Sequence, residues 1–185
     1  MTKEPSRPLV ICVDDDSRIV DVVARCLKHE PVEVRTTLSP VEALAWVGAE
    51  PVAVLVSDYE MPEMTGAQLA GRVKHLRPET TRILLTGKRT FETVVDGINQ
   101  GEIFRFIAKP FAPQELRDAI AAAVARNAEL VALSSDRQRR ERRDALRDAL
   151  EAEYPGITDV VRASEDRYIV PEAASELARA LGFDR

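Results

Sequence analysis

Between residues 9 and 127, short apolar runs alternate with amphipathic stretches, and this alternation constrains the fold more than any other feature. Apolar and β-branched residues predict five strands, in the segments LVICV, VEVRT, VAVLVS, RILLT and IFRFIA. Each run precedes a stretch with apolar residues at helical spacing; the first, SRIVDVVARCLKH, places Ile19, Val22, Val23, Cys26 and Leu27 on one face. The sequence therefore predicts an α/β fold, with a five-stranded parallel sheet covered by helices on both faces.

Residues typical of helix ends mark several of the predicted helices. Ser39 is a candidate N-cap, Pro40 occupies the first helical position, and Glu42 is placed to close a capping box. Two further helices are predicted near 66–76 and near 90–99, the latter ended by Gly101. A fifth helix is predicted in PQELRDAIAAAVARN.

Composition argues for a soluble cytoplasmic protein. The 185 residues carry a net charge of −5, which argues against a role in coating nucleic acid. No apolar stretch is long enough for a signal peptide or a membrane span. Cys12 and Cys26 lie on apolar faces and are expected to be reduced core residues. His29 and His75 fall in helical segments away from the strand ends, so a zinc site is not expected.

Polar residues stand where the predicted strands end. In a parallel sheet of order 2-1-3-4-5, the carboxyl ends of the strands would meet at one edge, which is where such sheets bind ligands. We therefore expect a single cleft that contains the polar residues Asp14, Asp15, Asp16, Ser57, Asp58, Thr86 and Lys109.

The residues of this cleft favour phosphoryl transfer. Carboxylates that face each other need a cation, and an all-oxygen ligand set suits Mg²⁺ or Mn²⁺. A lysine beside a metal and a carboxylate can neutralise phosphoryl oxygens while the carboxylate acts as nucleophile and forms an acyl phosphate. The hydroxyl of Thr86 could donate a hydrogen bond to a phosphoryl oxygen.

Four motifs, VDDD, SDYEMPEMTG, LLTG and AKPF, resemble in order and spacing the CheY-like receiver domain of two-component response regulators. The resemblance covers residues 8–127. It implies that Asp58 accepts a phosphoryl group from a histidine kinase or phosphotransfer protein. It also implies that Asp14 and Asp15 bind Mg²⁺ together with Asp58 and the backbone carbonyl of Glu60.

The same resemblance assigns the remaining polar positions. Thr86 corresponds to the switch hydroxyl, and Lys109 to the phosphate-binding lysine, which a cis peptide bond to Pro110 would aim inward. Asp16 falls where the family varies, and we interpret it as a charge that favours a helix N-terminus. Phe106 stands at the aromatic switch position, where tyrosine is common; it either moves inward by packing alone or is simply a core residue.

Glu60 and Lys88 lie two residues after Asp58 and Thr86, on the loops that flank the path of attacking water. An ion pair between them would slow hydrolysis and lengthen the lifetime of the phosphorylated form. The alternative is two solvated side chains, because exposed pairs contribute little.

The segment INQGEIFRFIAKPF resembles receivers that are often joined to HD-GYP phosphodiesterases, cyclases or phosphatases. The residues after it contain neither a paired His-Asp metal motif nor a Gly-rich phosphate loop. We therefore expect no separate catalytic output domain, and no enzymatic chemistry beyond phosphorylation and dephosphorylation of Asp58.

The predicted domain organisation is a tail at 1–7, the receiver at 8–127, a helical linker at 128–153 and a small unit at 154–185. The linker has no apolar residue in SSDRQRRERRD, so it is either one solvated helix or a helix broken at Ser134 and Ser135. The last unit is predicted as a hairpin of ITDVVRA and RYIV, then a helix from Pro171 that Gly182 ends. Roughly thirty residues cannot fold alone, which favours a homodimer held by the C-terminal tail.

Three hypotheses for function follow. The leading one is a response regulator whose phosphorylation changes tail packing, oligomerisation or a protein-partner surface. The second is a DNA-binding transcription regulator that uses the last helix or the arginine cluster of residues 137–143, although the acidic surroundings and few aromatics argue against DNA. The third is a metal-dependent phosphohydrolase with Asp58 as nucleophile and Glu60 as acid, for which the chain offers no cap domain.

Overall fold

The computed structural model describes residues 7–87, 102–157, 161–164, 167–169 and 179. Its main sheet has five parallel strands in the order β2-β1-β3-β4-β5, as predicted. The strands are β1 (Leu9–Val13), β2 (Glu33–Thr37), β3 (Val54–Asp58), β4 (Thr81–Thr86) and β5 (Arg105–Ala108). In register, Val13 at the end of β1 pairs with Ser57 of β3, and Ser57 pairs with Leu84 of β4.

Four helices are described: α1 (Ser17–Leu27), α2 (Pro40–Ala49), α3 (Gly66–Leu76) and α4 (Pro113–Glu153). The predicted helix near 90–99 and its stop at Gly101 lie outside the described residues. Within the described part of the chain, no helix combines the length and the apolar character that a membrane span requires.

The core lies on both faces of the sheet because successive strand residues point to opposite sides. On one face, Val10, Val56 and Ile83 pack with residues of α1 and α4. On the other face, Ile11 and Leu55 pack with residues of α2 and α3. Strands β1, β3 and β4 are buried at every position, which explains the apolar runs LVICV, VLV and ILL within them.

The start of α2 corrects one prediction. Ser39 is the N-cap, but its hydroxyl makes no capping hydrogen bond, and the predicted box with Glu42 is wrong. The reason is Thr37 at the end of β2, whose hydroxyl oxygen accepts the Ser39 N–H at 3.0 Å while the hydroxyl donates to Glu42. A true capping box begins α3, where Thr65 and Gln68 exchange hydrogen bonds of 3.2 and 3.1 Å.

The C-terminal region has elements of its own. Helix α4 runs without interruption through Ser134 and Ser135, so of the two interpretations of the linker the continuous helix is the observed one. The chain divides into two compact units, Met1–Ala132 and Leu133–Arg185. In the second unit, β6 (Val161–Ser164) and β7 (Arg167–Ile169) form the predicted antiparallel hairpin. The predicted helix from Pro171 to Gly182 falls outside the described residues except for Arg179.

Both cysteines are free thiols. Cys12 is buried in β1 and Cys26 is half-buried in α1, in agreement with the expectation of reduced core residues. Burial raises the pKa of the Cys12 thiol far above its ordinary value. Cys12 is therefore a neutral core residue at physiological pH.

Candidate functional site

Three carboxylates meet at the carboxyl edge of the sheet. Asp14 and Asp15 directly follow β1, Asp58 ends β3, and oxygens of all three lie within 4.8 Å of one another. The two strands are hydrogen-bonded neighbours, which is why residues at their ends adjoin. Asp14 is fully buried and Asp58 is 6% exposed, whereas Asp15 faces solvent. Oxygen-only ligands in this arrangement could hold a hard divalent cation.

Lys109 supplies the opposite charge. It follows β5, and its Nζ lies 2.5 Å from Asp14 Oδ2 and 2.6 Å from Asp58 Oδ1. Its backbone N–H donates to the carbonyl of Thr86 at 2.8 Å, and the peptide bond to Pro110 is cis. The lysine thus reaches from one side of the sheet to the acids of the two central strands. We call Asp14, Asp15, Asp58 and Lys109 the acidic site.

Burial and hydrogen bonding shift the pKa values in this site. Burial raises the pKa of Asp14 above its ordinary value, although the hydrogen bond from Lys109 acts in the opposite direction. For Lys109, burial favours the neutral amine, but the hydrogen bonds to Asp14 and Asp58 outweigh it and raise the pKa. Lys109 is therefore an ammonium ion held between two carboxylates.

The second oxygen of Asp58 is also oriented. The backbone N–H of Glu60 donates to Asp58 Oδ2 at 3.1 Å, while Oδ1 contacts Lys109. The side chain of Glu60 is exposed. Lys88, its predicted partner in controlling phosphate lifetime, lies outside the described residues.

Thr86 and Phe106 occupy neighbouring strands. Thr86 is the last residue of β4 and is buried, and its carbonyl accepts the N–H of Lys109. Phe106 lies in β5, half-buried, and pairs in register with Leu84 of β4. Phe106 therefore lies in the strand that precedes Lys109, and Thr86 ends the strand between those of Asp58 and Lys109.

Asp16 does not join the acidic cluster. It is the N-cap of α1, and its carboxylate accepts the Arg18 N–H at 2.9 Å and pairs with the Arg18 guanidinium. These bonds lower the pKa of Asp16. Its interpretation as a helix-start charge agrees with this position.

Ser57, which the sequence places in the cleft, and Gly66 both make contacts with Asp58 that the sequence does not predict. The hydroxyl of Ser57 donates to the Asp58 carbonyl at 2.8 Å, and Gly66 lies directly against the same carbonyl. A serine in a buried strand and a glycine in the first turn of a helix are both common, so only the fold connects them with Asp58.

The comparisons with known proteins agree with this geometry. A family model described as "Response regulator receiver domain" matches residues 10–121. The chain belongs to this family. Similar receiver domains have been solved: the signal receiver domain of an HD domain-containing protein from Pseudomonas fluorescens Pf-5 is 29% identical, with a TM-score of 0.65. That match covers 75% of this chain and 98% of the other.

Among relatives of this receiver are two transcription regulators. The hydrogenase transcriptional regulatory protein HoxA from Cupriavidus necator is 36% identical over 115 residues, which are 62% of this chain and 24% of HoxA. The DNA-binding transcriptional regulator NtrC from Azospirillum brasilense is 30% identical over 131 residues, 71% of this chain and 27% of NtrC. The chain thus spans about a quarter of the length of these relatives.

Proposed function

We propose that the chain is the phosphoryl acceptor of a two-component phosphorelay, and that a histidine kinase or phosphotransfer protein phosphorylates Asp58. The observation that carries the proposal is the placement of Lys109 Nζ, 2.5 Å from Asp14 and 2.6 Å from Asp58 at the carboxyl edge of the sheet. Membership of the receiver family supports it. We expect this chemistry to take place in the cytoplasm.

The residues of the acidic site fit each part of this reaction. A carboxylate oxygen of Asp58 attacks the phosphorus of the donor phosphohistidine, the P–N bond breaks, and the imidazole leaves with the electron pair and takes up a proton. Lys109 is placed to donate to an oxygen of the transferred group because it already contacts Asp58 Oδ1. The hydroxyl of Thr86 is proposed as a second donor, at the end of the adjacent strand.

Magnesium, or manganese in its place, fits the ligand set of this site. The carboxylates of Asp14, Asp15 and Asp58 offer oxygens within 4.8 Å of one another, and the backbone carbonyl of Glu60 is proposed as a further ligand. When bound, the ion supplies positive charge against the phosphoryl oxygens.

Phosphorylation is proposed to change the conformation of Thr86 and Phe106 and thereby tail packing, oligomerisation or a partner surface. A homodimer is supported by the exposed apolar side chains of Leu133 and Leu146 in α4. The exposed charges of this helix contribute less, because several already pair within it: Arg137 with Glu141, Arg143 with Asp144 and Arg147 with Asp148.

Phosphorylation is tested with acetyl phosphate and Mg²⁺, and phosphate-affinity electrophoresis detects the product. The wild-type chain should gain one acid-stable, base-labile phosphoryl group, as expected for an acyl phosphate. Asp58→Asn should gain none. Equal labelling of both chains would exclude Asp58 as the acceptor.

Oligomerisation is tested by light scattering in Mg²⁺, with and without beryllofluoride as a phosphoryl mimic. A dimer in both states makes the tail a constitutive dimerisation element. A change of mass that Asp58→Ala abolishes makes assembly itself the output. A monomer in both states contradicts the homodimer.

Glu60 and Lys88 are proposed to prolong the phosphorylated state by pairing across the mouth of the site. The exposed side chain of Glu60, two residues from Asp58, supports its part in this pair. Loss of phosphate from Glu60→Ala and Lys88→Ala should be faster than from the wild type. Unchanged rates in both variants would remove the proposal.

DNA binding is the second candidate function. It is favoured by the similarity to the transcription regulators HoxA and NtrC and by the exposed arginines of residues 137–143. A mobility shift on duplex DNA that weakens steeply with salt would support it. No shift at low salt would exclude it for this chain.

A further inference from the structure

We propose that Gly66, the first residue of α3, is a positioning residue for the acidic site. Its lack of a side chain lets α3 begin directly against the backbone of Asp58 and so fixes the loop that carries Asp58 and Glu60. The inference rests on the proposed role of Asp58 as phosphoacceptor.

The space around Gly66 excludes any side chain. A Cβ atom there would lie 2.1 Å from the carbonyl oxygen of Asp58, 3.0 Å from its carbonyl carbon and 2.9 Å from Leu84 Cδ2. The leucine methyl can rotate away, but Asp58 pairs with Leu85 of β4 and its carbonyl accepts the Ser57 hydroxyl. A Cβ atom at Gly48 in α2 would have no neighbour within 4 Å. A methyl group therefore fits at Gly48 but not at Gly66.

Hydrogen bonds connect Gly66 to the same loop. Its N–H donates to the carbonyl of Tyr59 at 2.9 Å, and the hydroxyl of Ser57 donates to the carbonyl of Asp58 at 2.8 Å. Two consecutive carbonyls, those of Asp58 and Tyr59, are thus fixed by Gly66 and Ser57. The next carbonyl is that of Glu60, the proposed metal ligand.

The carboxylate of Asp58 depends on this loop as well, since Glu60 N–H donates to Asp58 Oδ2 at 3.1 Å. In Gly66→Ala the new methyl group and the Asp58 carbonyl must separate by about 0.9 Å to reach the shortest tolerated contact of 3.0 Å. A displacement of about 1 Å in a reacting group can cost about 100-fold in rate. The variant should therefore lose both metal affinity and reactivity while it keeps all its acidic side chains.

Two measurements distinguish a positioning role of Gly66 from a general loss of folded protein in Gly66→Ala. Calorimetric titration with Mg²⁺ alone should show at least tenfold weaker binding in Gly66→Ala. Phosphorylation by acetyl phosphate at saturating Mg²⁺ should be about 100-fold slower, after correction for the folded fraction. Gly48→Ala adds the same methyl group to another helix and should match the wild type.

Ala67→Gly is the control for stability. It weakens the same turn of α3 without entering the space next to Asp58, so it should lower the melting temperature and leave the Mg²⁺ affinity unchanged. If Ala67→Gly weakens Mg²⁺ binding as much as Gly66→Ala does, the effect is one of stability and the proposal is wrong.

Ser57→Ala keeps the proposal testable if Gly66→Ala does not fold. It removes the hydrogen bond to the Asp58 carbonyl without a clash and should weaken Mg²⁺ binding and slow phosphorylation several-fold. Wild-type behaviour of Ser57→Ala in both measurements would contradict the importance of this carbonyl. The proposed function fails instead if the wild-type chain is not phosphorylated, or if Asp58→Asn is phosphorylated equally well.

Discussion

Replacing Lys109 with methionine should show how much the repulsion between the carboxylates of the acidic site destabilises the fold. Methionine keeps most of the length of the side chain but removes the charge that lies 2.5 Å from Asp14 and 2.6 Å from Asp58. Two carboxylates within 4.8 Å repel each other by about 3.5 kcal/mol at an effective dielectric constant of about 20. Water screens this repulsion poorly because both acids are buried.

The loss of stability expected in Lys109→Met follows from comparison with other buried ion pairs. Removing one partner of a buried ion pair costs about 3–5 kcal/mol. Burial already raises the pKa of Asp14, so this carboxyl can take up a proton and limit the loss. We therefore expect Lys109→Met to lower the free energy of unfolding by about 3 kcal/mol at neutral pH without metal.

The measurement is urea denaturation followed by circular dichroism, in EDTA and then in Mg²⁺. Mg²⁺ should stabilise Lys109→Met more than the wild type, because a bound cation replaces the missing positive charge. Adding Asp14→Asn to Lys109→Met should recover much of the loss in EDTA. Lys28→Met, at an exposed position, should change stability by less than about 0.5 kcal/mol. A loss in Lys109→Met no larger than in this control would refute the electrostatic reasoning.

Three further perturbations test other parts of the structure. Thr65→Ala should destabilise the fold by about 1 kcal/mol, whereas Ser39→Ala should change the urea midpoint little because its hydroxyl makes no capping bond. The hydrogen bond from Lys74 lowers the pKa of Glu102 below its ordinary value of 4.5. The stability that this bond contributes is therefore present above pH 4.5 and is lost as the pH falls below it. Glu102→Gln should therefore lose less stability than the wild type when pH is lowered from about 5 to about 3 in acid titrations of unfolding. Ser135→Pro should break α4 and reduce the mass measured by light scattering, whereas Ser135→Ala should not.

The sheet could be predicted because its central strands are buried on both sides. The run VAVLVS has apolar residues at nearly every position, and β3 is found at Val54–Asp58, within two residues of the prediction. The apolar pattern that predicts a strand is weaker in β5, at the edge of the sheet. The predicted fifth strand starts at Ile103, whereas the observed one starts at Arg105, although the Phe104 N–H still donates to the Arg82 carbonyl at 2.8 Å.

Contacts between distant residues were harder to predict. Lys109 and Asp14 are 95 positions apart, and only the strand order brings their segments together. The predicted capping box at Ser39 is wrong because Thr37, in the preceding strand, binds the Ser39 N–H and the Glu42 carboxylate, which would bond to each other in the box. The exclusion of a side chain at Gly66 depends on where α3 starts relative to β3, which no local pattern encodes.

The charges of the acidic site indicate how phosphorylation would reach β4. Conversion of Asp58 to an acyl phosphate replaces one negative charge with nearly two, so the attraction on Lys109 moves away from Asp14 toward the phosphoryl group. The backbone of Lys109 donates to the Thr86 carbonyl, so a shift of the ammonium acts on the strand end that carries the proposed switch hydroxyl. Beryllofluoride should therefore change the NMR shift of the Lys109 ammonium nitrogen together with the amide shift of Thr86. In Asp14→Asn the ammonium already lacks one partner, so its shift should change less on adding the mimic. If the amide shift of Thr86 changes while that of the Lys109 ammonium nitrogen does not, the switch does not act through this lysine.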